Sequence, residues 1–235
     1  MTAPLLAVNG LTKQFGGFTA LADISLHVMS GERLGLIGPN GSGKTTLVNC
    51  ISGTVPISAG SVTLDDRRID GLPPHQRARL GLVRSFQLPR PFGSLTVSDN
   101  LRVATVYAGR TGAAGIPELL DMVGLKGKAD RLPRELTQIE MRKLELARAM
   151  AASPRLLIVD EAMAGLSHTE VDEIVALLLQ LSAQGVTIIM IEHIMQAVMR
   201  FSDRVMCLDA GRIIAIGTPS EVMANQRVQE AYLGT

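Results

Sequence analysis

The sequence has no tryptophan, and aromatic residues make up only 3% of it. It has two cysteines, Cys50 and Cys207. One distant pair is neither a disulfide framework nor a metal-ligand spacing, so both are read as core residues of a protein in a reducing compartment. An excess of either charge is missing too: 23 Lys plus Arg stand against 22 Asp plus Glu, a formal net charge of +1. That balance removes any electrostatic case for nucleic acid as the main partner. No apolar run approaches the roughly 18 residues a membrane helix needs. The strongest runs, such as 186–191, are strand-length. The start, 1–11, has no basic stretch ahead of an apolar one, so no targeting segment is expected. Internal repeats and low-complexity segments are also absent.

What is there is a globular chain of 235 residues, 46% hydrophobic and 19% charged, with room for one core or one core and a small lobe. Mean hydropathy is +0.25 and methionines number eleven. That greasy, adaptable composition predicts apolar surface covered by a partner.

Turn signals and alternating apolar residues predict short strands at 5–8 and 24–28, with turns at Asn9-Gly10 and Gly16-Gly17. A compact apolar strand, 34–37, runs into a glycine-rich loop and a helix from Lys44 to Ser52. A strand at 61–64, a helical stretch at 72–79 and a strand at 80–86 follow. From 87 to 152 the pattern is mainly helical, as for an inserted lobe. Then strand and helix alternate again. Residues 155–159 and 186–191 read as buried strands, and 204–208 with 213–216 as a hairpin-like pair. Val171, Ile174, Val175, Leu178 and Leu181 recur at helical spacing, with Ser167 and Glu170 as a capping box and Gly185 as a stop. Strands alternating with helices predict a mainly parallel sheet covered on both faces.

The loop Gly38-Pro39-Asn40-Gly41-Ser42-Gly43-Lys44-Thr45 fits G-x-x-x-x-G-K-[ST] in full. Glycines let successive N–H groups turn inward on phosphate oxygens, and the following helix adds the positive end of its dipole. Lys44 then reaches the β- and γ-phosphates, and Thr45 offers a hydroxyl to Mg²⁺. After the buried strand 156–159 come Asp160 and Glu161. A strand of a parallel sheet delivers its C-terminal end to the ligand crevice. There Asp160 can bind Mg²⁺ and Glu161 can accept a proton from the attacking water. His193 follows the strand 186–191 in the same way, placed to hydrogen-bond a γ-phosphate.

Taken in order, Phe15, the loop from Gly38, Gln87, the segment 136–140, Asp160-Glu161 and His193 resemble the ATP-binding subunits of ABC transporters. The resemblance covers nearly the whole chain. It implies an α/β fold: a P-loop NTPase core with a mainly parallel sheet (1–86 and 153–235), an N-terminal antiparallel β subdomain and an inserted helical subdomain (87–152). It further implies that Phe15 stacks on adenine and that Gly38 to Thr46 hold the ATP phosphates. Gln87 would touch Mg²⁺ or water and link the site to transmembrane permease subunits. A second ATPase subunit would close over the nucleotide, with a solute-binding protein acting indirectly and the whole at the cytoplasmic face of the inner membrane.

The sequence departs from the family at two places. The signature reads Leu136-Thr137-Gln138-Ile139-Glu140, where Gln138 and Ile139 replace two glycines, but Thr137 and Glu140 can still cap the helix that follows. Ser167 stands where the family has an aspartate. The run 161–166 and the tail Ala231-Tyr232-Leu233-Gly234 resemble the branch that imports branched-chain or hydrophobic amino acids. A soluble ABC-type ATPase in protein assembly or regulation rather than transport is the alternative. A GTPase is disfavoured because no Asn-Lys-x-Asp base reader occurs.

Overall fold

The computed structural model describes residues 3–85, 89–108 and 115–233. Among these residues the chain builds two sheets. Strands β1 (Leu6–Phe15), β2 (Phe18–Val28), β4 (Ala59–Leu64) and β5 (Arg67–Arg68) form an antiparallel sheet in the order β2-β1-β4-β5. Strands β3 (Arg33–Ile37), β6 (Leu82–Arg84), β7 (Leu156–Asp160), β8 (Thr187–Ile191), β9 (Arg204–Asp209) and β10 (Arg212–Gly217) form the other, in the order β10-β9-β3-β8-β7-β6. It is parallel throughout except for the β9–β10 hairpin.

The central strands are apolar on both faces, and their alternation divides the core in two. Leu34, Leu36, Leu156, Ile158, Ile189, Ile191, Met206 and Leu208 join one apolar cluster with the antiparallel sheet and helix α1 (Lys44–Ser52). Leu157, Val159, Ile188, Met190, Val205 and Cys207 face the other way. There they meet helices α3 (Val97–Ala108), α4 (Ile116–Met122), α5 (Gln138–Ala151), α6 (His168–Ala183) and α7 (Met195–Phe201). A parallel sheet buried on both sides requires this double coverage. Helices α3 to α5 lie between β6 and β7 in the chain and form the inserted helical part. Helices α8 (Pro219–Ala224) and α9 (Gln226–Leu233) close the described chain. Cys50 and Cys207 are buried and unpaired, as expected of core thiols.

The local signals hold where they are purely local. Helix α1 has the expected bounds, and Ser167 caps α6 with Glu170 returning the bond. Two expectations need correcting. Asn9-Gly10 is not a turn. Strand β1 runs through it with a bulge, because Gly60 of β4 crosses there so closely that a Cβ would lie 2.5 Å from the Gly10 carbonyl oxygen. The strand expected over 80–86 is shorter. Leu80 instead ends helix α2 (Pro74–Arg79), and Gly81, at φ 99°, turns the chain into β6.

Candidate functional site

The C-terminal ends of β3 and β7 deliver loop residues 40–46 and Glu161 to one cleft of about 210 Å³. Loop residues 40–46 form one wall, Phe18 and Ala20 of β2 another, and Glu161 closes it. Gly43, at φ 106°, starts α1 without any side-chain cap, which leaves the helix N-terminus to whatever enters the cleft. The loop is held from behind: Gly211 N–H donates to the Ser42 carbonyl at 2.9 Å, and Ala22 N–H to that of Gly211 at 2.9 Å.

Lys44 is nearly buried, with its ammonium donating to the carbonyls of Gly38 at 2.7 Å and Pro39 at 3.0 Å. Burial lowers its pKa from the ordinary lysine value, against the pull of the Glu161 and Asp160 charges. Asp160 ends β7 and pairs with Arg84 of β6 at 2.6 Å, while the same guanidinium reaches the Asn49 amide oxygen of α1 at 2.6 Å. One ion pair thus ties three elements under the cleft. Nothing in the sequence pattern marked Arg84 beyond its place in a strand.

Glu161 has φ 48°, a left-handed conformation uncommon for a residue with a side chain. Its N–H donates to the Ile191 carbonyl of β8 at 2.9 Å, which fixes the turn that aims the carboxylate into the cleft. His193 Nδ1 stands 3.6 Å from Glu161 Oε1, so the two ends of neighbouring strands β7 and β8 do meet. Phe15 is elsewhere. It pairs in register with Phe18 across the Gly16-Gly17 turn and lies under Lys13, whose ammonium is 4.7 Å from the ring centre. Phe18, not marked in the sequence, is the aromatic that lines the cleft.

Thr137 caps α5, accepting from the Glu140 N–H at 3.4 Å while its own N–H donates to Glu140 Oε2 at 2.9 Å. It does not line the cleft. The replaced glycine positions have a use within the chain: Gln138 Nε2 donates to the Ala164 carbonyl at 3.4 Å, beside Arg142 Nη2 at 3.2 Å. The signature helix is therefore stitched to the segment after Glu161. Gln87, with Phe86 and Leu88, lies outside the described residues.

Glu192 is 1% exposed; its Oε1 accepts the Met163 N–H at 2.9 Å and its Oε2 has no hydrogen-bond partner. Burial pushes its carboxyl up to about 6, against the Met163 N–H and the His193 charge. The folded state then holds a proton that the unfolded chain releases above its ordinary value. Stability falls as pH rises from about 4.5 through 6, by about 2 kcal/mol. Glu192→Gln is expected to raise the melting temperature by about 4 °C at pH 8 and hardly at pH 4.5. Equal shifts at both pH values would contradict this account.

Two oxygen donors, the Thr45 hydroxyl and the Asp160 carboxylate, belong to the loop and to the strand end beneath it, and no group of three or more His, Cys, Asp or Glu able to hold a metal occurs among the described residues. So sparse and hard a set suits Mg²⁺, which keeps its waters and takes phosphate oxygens as ligands.

The sequence model of the ABC transporter family matches residues 21–164, spanning the loop, the signature and the acid pair. This chain belongs to the ABC transporter family. As an ATP-binding cassette of that family it is an ATPase. The cassette is 40% identical to the high-affinity branched-chain amino acid transport ATP-binding protein LivG of Salmonella typhimurium, over 100% of this chain and 99% of that protein. It is 34% identical to the lipopolysaccharide export system ATP-binding protein LptB of Escherichia coli, over 97% of each. The crystal structure of the ADP conformation of an ATP-binding cassette of an ABC transporter superposes with a TM-score of 0.90 at 31% identity and covers 100% of both chains. A second family model, for branched-chain amino acid ATP-binding cassette transporters, matches the cassette over 212–235.

Proposed function

We propose that this cassette energises uptake of branched-chain or other hydrophobic amino acids through separate transmembrane subunits, as a peripheral subunit on the cytoplasmic face of the inner membrane. The observation that carries the chemistry is Glu161 lining the same cleft as loop residues 40–46. For the cargo, support comes from the match of the C-terminal stretch 212–235 and from 40% identity to LivG, against 34% to an exporter's cassette.

In this reading the loop N–H groups and the α1 N-terminus hold the β-phosphate, and Lys44 spans the β- and γ-phosphates. Mg²⁺ would be held by Thr45 and Asp160, with Gln87 as the further contact the resemblance implies, and would neutralise charge on those phosphate oxygens when bound. Glu161 takes the proton from the attacking water, and His193 orients the γ-phosphate. Phe15, with Phe18 beside it, offers adenine a stacking face. Thr137 and the α5 N-terminus face the nucleotide of a second ATPase subunit, so ATP bridges two cassettes and its hydrolysis lets them part. We assign 1–86 and 153–235 to the nucleotide-binding core and 87–152 to the helical subdomain.

No helix of the described chain is long and apolar enough to cross a membrane. Helix α3 instead exposes Val106 at 70% and Tyr107 at 73%, beside a groove shared with Leu95 and Val103. Bare apolar surface of this kind fits a protein partner, and here we place the transmembrane subunits. Reconstituted with them and a solute-binding protein in vesicles, the cassette is expected to drive ATP-dependent leucine uptake. ATPase activity with no co-purifying transmembrane subunit would refute transport. Uptake that leucine neither uses nor competes with would refute the cargo. Val106→Asp with Tyr107→Asp is expected to abolish co-elution with the transmembrane subunits and to leave basal ATPase within about twofold. Unchanged co-elution would move the docking surface elsewhere.

A further inference from the structure

Gly38, the first residue of the phosphate loop, has both its backbone groups engaged by side chains. Its N–H donates to the hydroxyl of Tyr232 at 2.8 Å, across 194 residues of chain. Its carbonyl accepts the Lys44 ammonium at 2.7 Å. Only glycine fits here, since a Cβ would lie 2.2 Å from the Leu208 carbonyl oxygen and 2.7 Å from Ser42 Oγ. Tyr232 belongs to α9, which packs on β10 and α8. Burial raises the pKa of its phenol above the ordinary value, so the hydroxyl stays neutral at physiological pH and keeps its proton.

We propose that Tyr232 is a positioning residue for the phosphate loop and makes docking of the C-terminal helix and binding of nucleotide depend on each other. The proposal rests on the reading of that loop as the nucleotide site. Tyr232 holds the Gly38 N–H, and the Gly38 carbonyl, on the next peptide plane and separated from that N–H only by the φ and ψ of Gly38, anchors the Lys44 ammonium. A lysine ammonium has three donors. Two are set by the carbonyls of Gly38 and Pro39, so the direction of the third follows from where Gly38 sits. Loss of the Tyr232 hydroxyl frees the loop's first residue and blurs the position of Lys44. In return, a ligand that fixes Lys44 favours the docked helix, because coupling between two sites is reciprocal.

The composition supplies the probe. With no tryptophan and only two tyrosines, Tyr107 and Tyr232, the variant Tyr107→Phe leaves Tyr232 as the sole emitter. Addition of ADP to that variant is expected to change its tyrosine emission, and unchanged emission at saturation counts against the coupling. In a Tyr232→Phe variant, which keeps the ring and its packing, the Kd for ADP is expected to rise about three- to tenfold, the loss of one hydrogen bond. A purely structural tyrosine would lower the melting temperature and leave the Kd within twofold, which overturns the proposal. Wild-type protein that fails to bind ADP at all overturns the reading of the site itself, and Lys44→Ala serves as the control for that outcome.

Discussion

Replacing Glu161 by glutamine is expected to lower the ATPase rate at saturating Mg²⁺ and ATP by about 10²-fold or more, the usual worth of a general base. Glutamine keeps the size of the side chain and its packing, so the turn at φ 48° and the N–H bond to Ile191 survive. What it removes is the acceptor that, in the proposed mechanism, takes a proton from water beside the γ-phosphate. His193 cannot take over. Its Nδ1 is 3.6 Å from the carboxylate it would replace, and in the proposed mechanism it serves the phosphate as a donor. Phosphate release by wild type and variant measures the loss, and gel filtration with ATP adds a second readout. The variant should retain ATP and run as an ATP-dependent dimer. A rate within tenfold of wild type would sink the base assignment. Loss of rate without dimerisation would point to Gln138 and Ile139 as having weakened the contact with the second subunit.

The largest effect on stability should come from Arg77. This side chain is 1% exposed, yet it carries a full charge in the interior. Its Nη1 donates to the carbonyls of Cys50 and Ile51 at 2.8 and 2.7 Å, its Nε to Leu72 at 2.8 Å and its Nη2 to Asp70 at 2.9 Å. Two of these carbonyls end helix α1, where the dipole favours a cation. Burial lowers the pKa from the ordinary arginine value, but arginine stays protonated in proteins. Arg77→Met strands three carbonyls, since that of Cys50 still accepts the Gly53 N–H at 3.3 Å. At about 1 kcal/mol or more each, the cost is at least about 3 kcal/mol, or roughly 6–12 °C in melting temperature for a chain of this size. Arg77→Lys should recover only part, because one ammonium cannot span all four. A drop below about 2 °C for Arg77→Met would show that water replaces the guanidinium and that the site is less closed than it looks.

These two residues also show where sequence reading succeeds and stops. Glu161 was legible because its signal is local: an apolar strand followed by acids beside a phosphate loop. Helix α1 and the Ser167 and Thr137 caps were legible for the same reason. Arg77 was not, because nothing in Pro-His-Gln-Arg-Ala-Arg separates the buried arginine from the exposed one. Its partners lie on α1 and a turn, and only tertiary packing brings them together. The Arg84–Asp160 pair spans 76 residues and the Tyr232–Gly38 bond 194, distances no periodicity carries. The bulge at Gly10 depends on Gly60 arriving from another strand. Phe18 escaped notice because the resemblance pointed to Phe15, and only the hairpin's register shows that the two rings are direct partners across the turn.

The division of the central strands between two apolar clusters sets limits on how this protein's length can drift over generations. Ile188 and Met190 face one layer while Ile189 and Ile191 face the other. One residue gained or lost in β8 would exchange every one of them and turn Glu192 and His193 away from Glu161. The same holds for β3 ahead of the loop and β7 ahead of the acid pair. Insertions and deletions in related genes should therefore collect outside these strands, at the edges of the antiparallel sheet and between helices, while the strand lengths stay fixed to the residue.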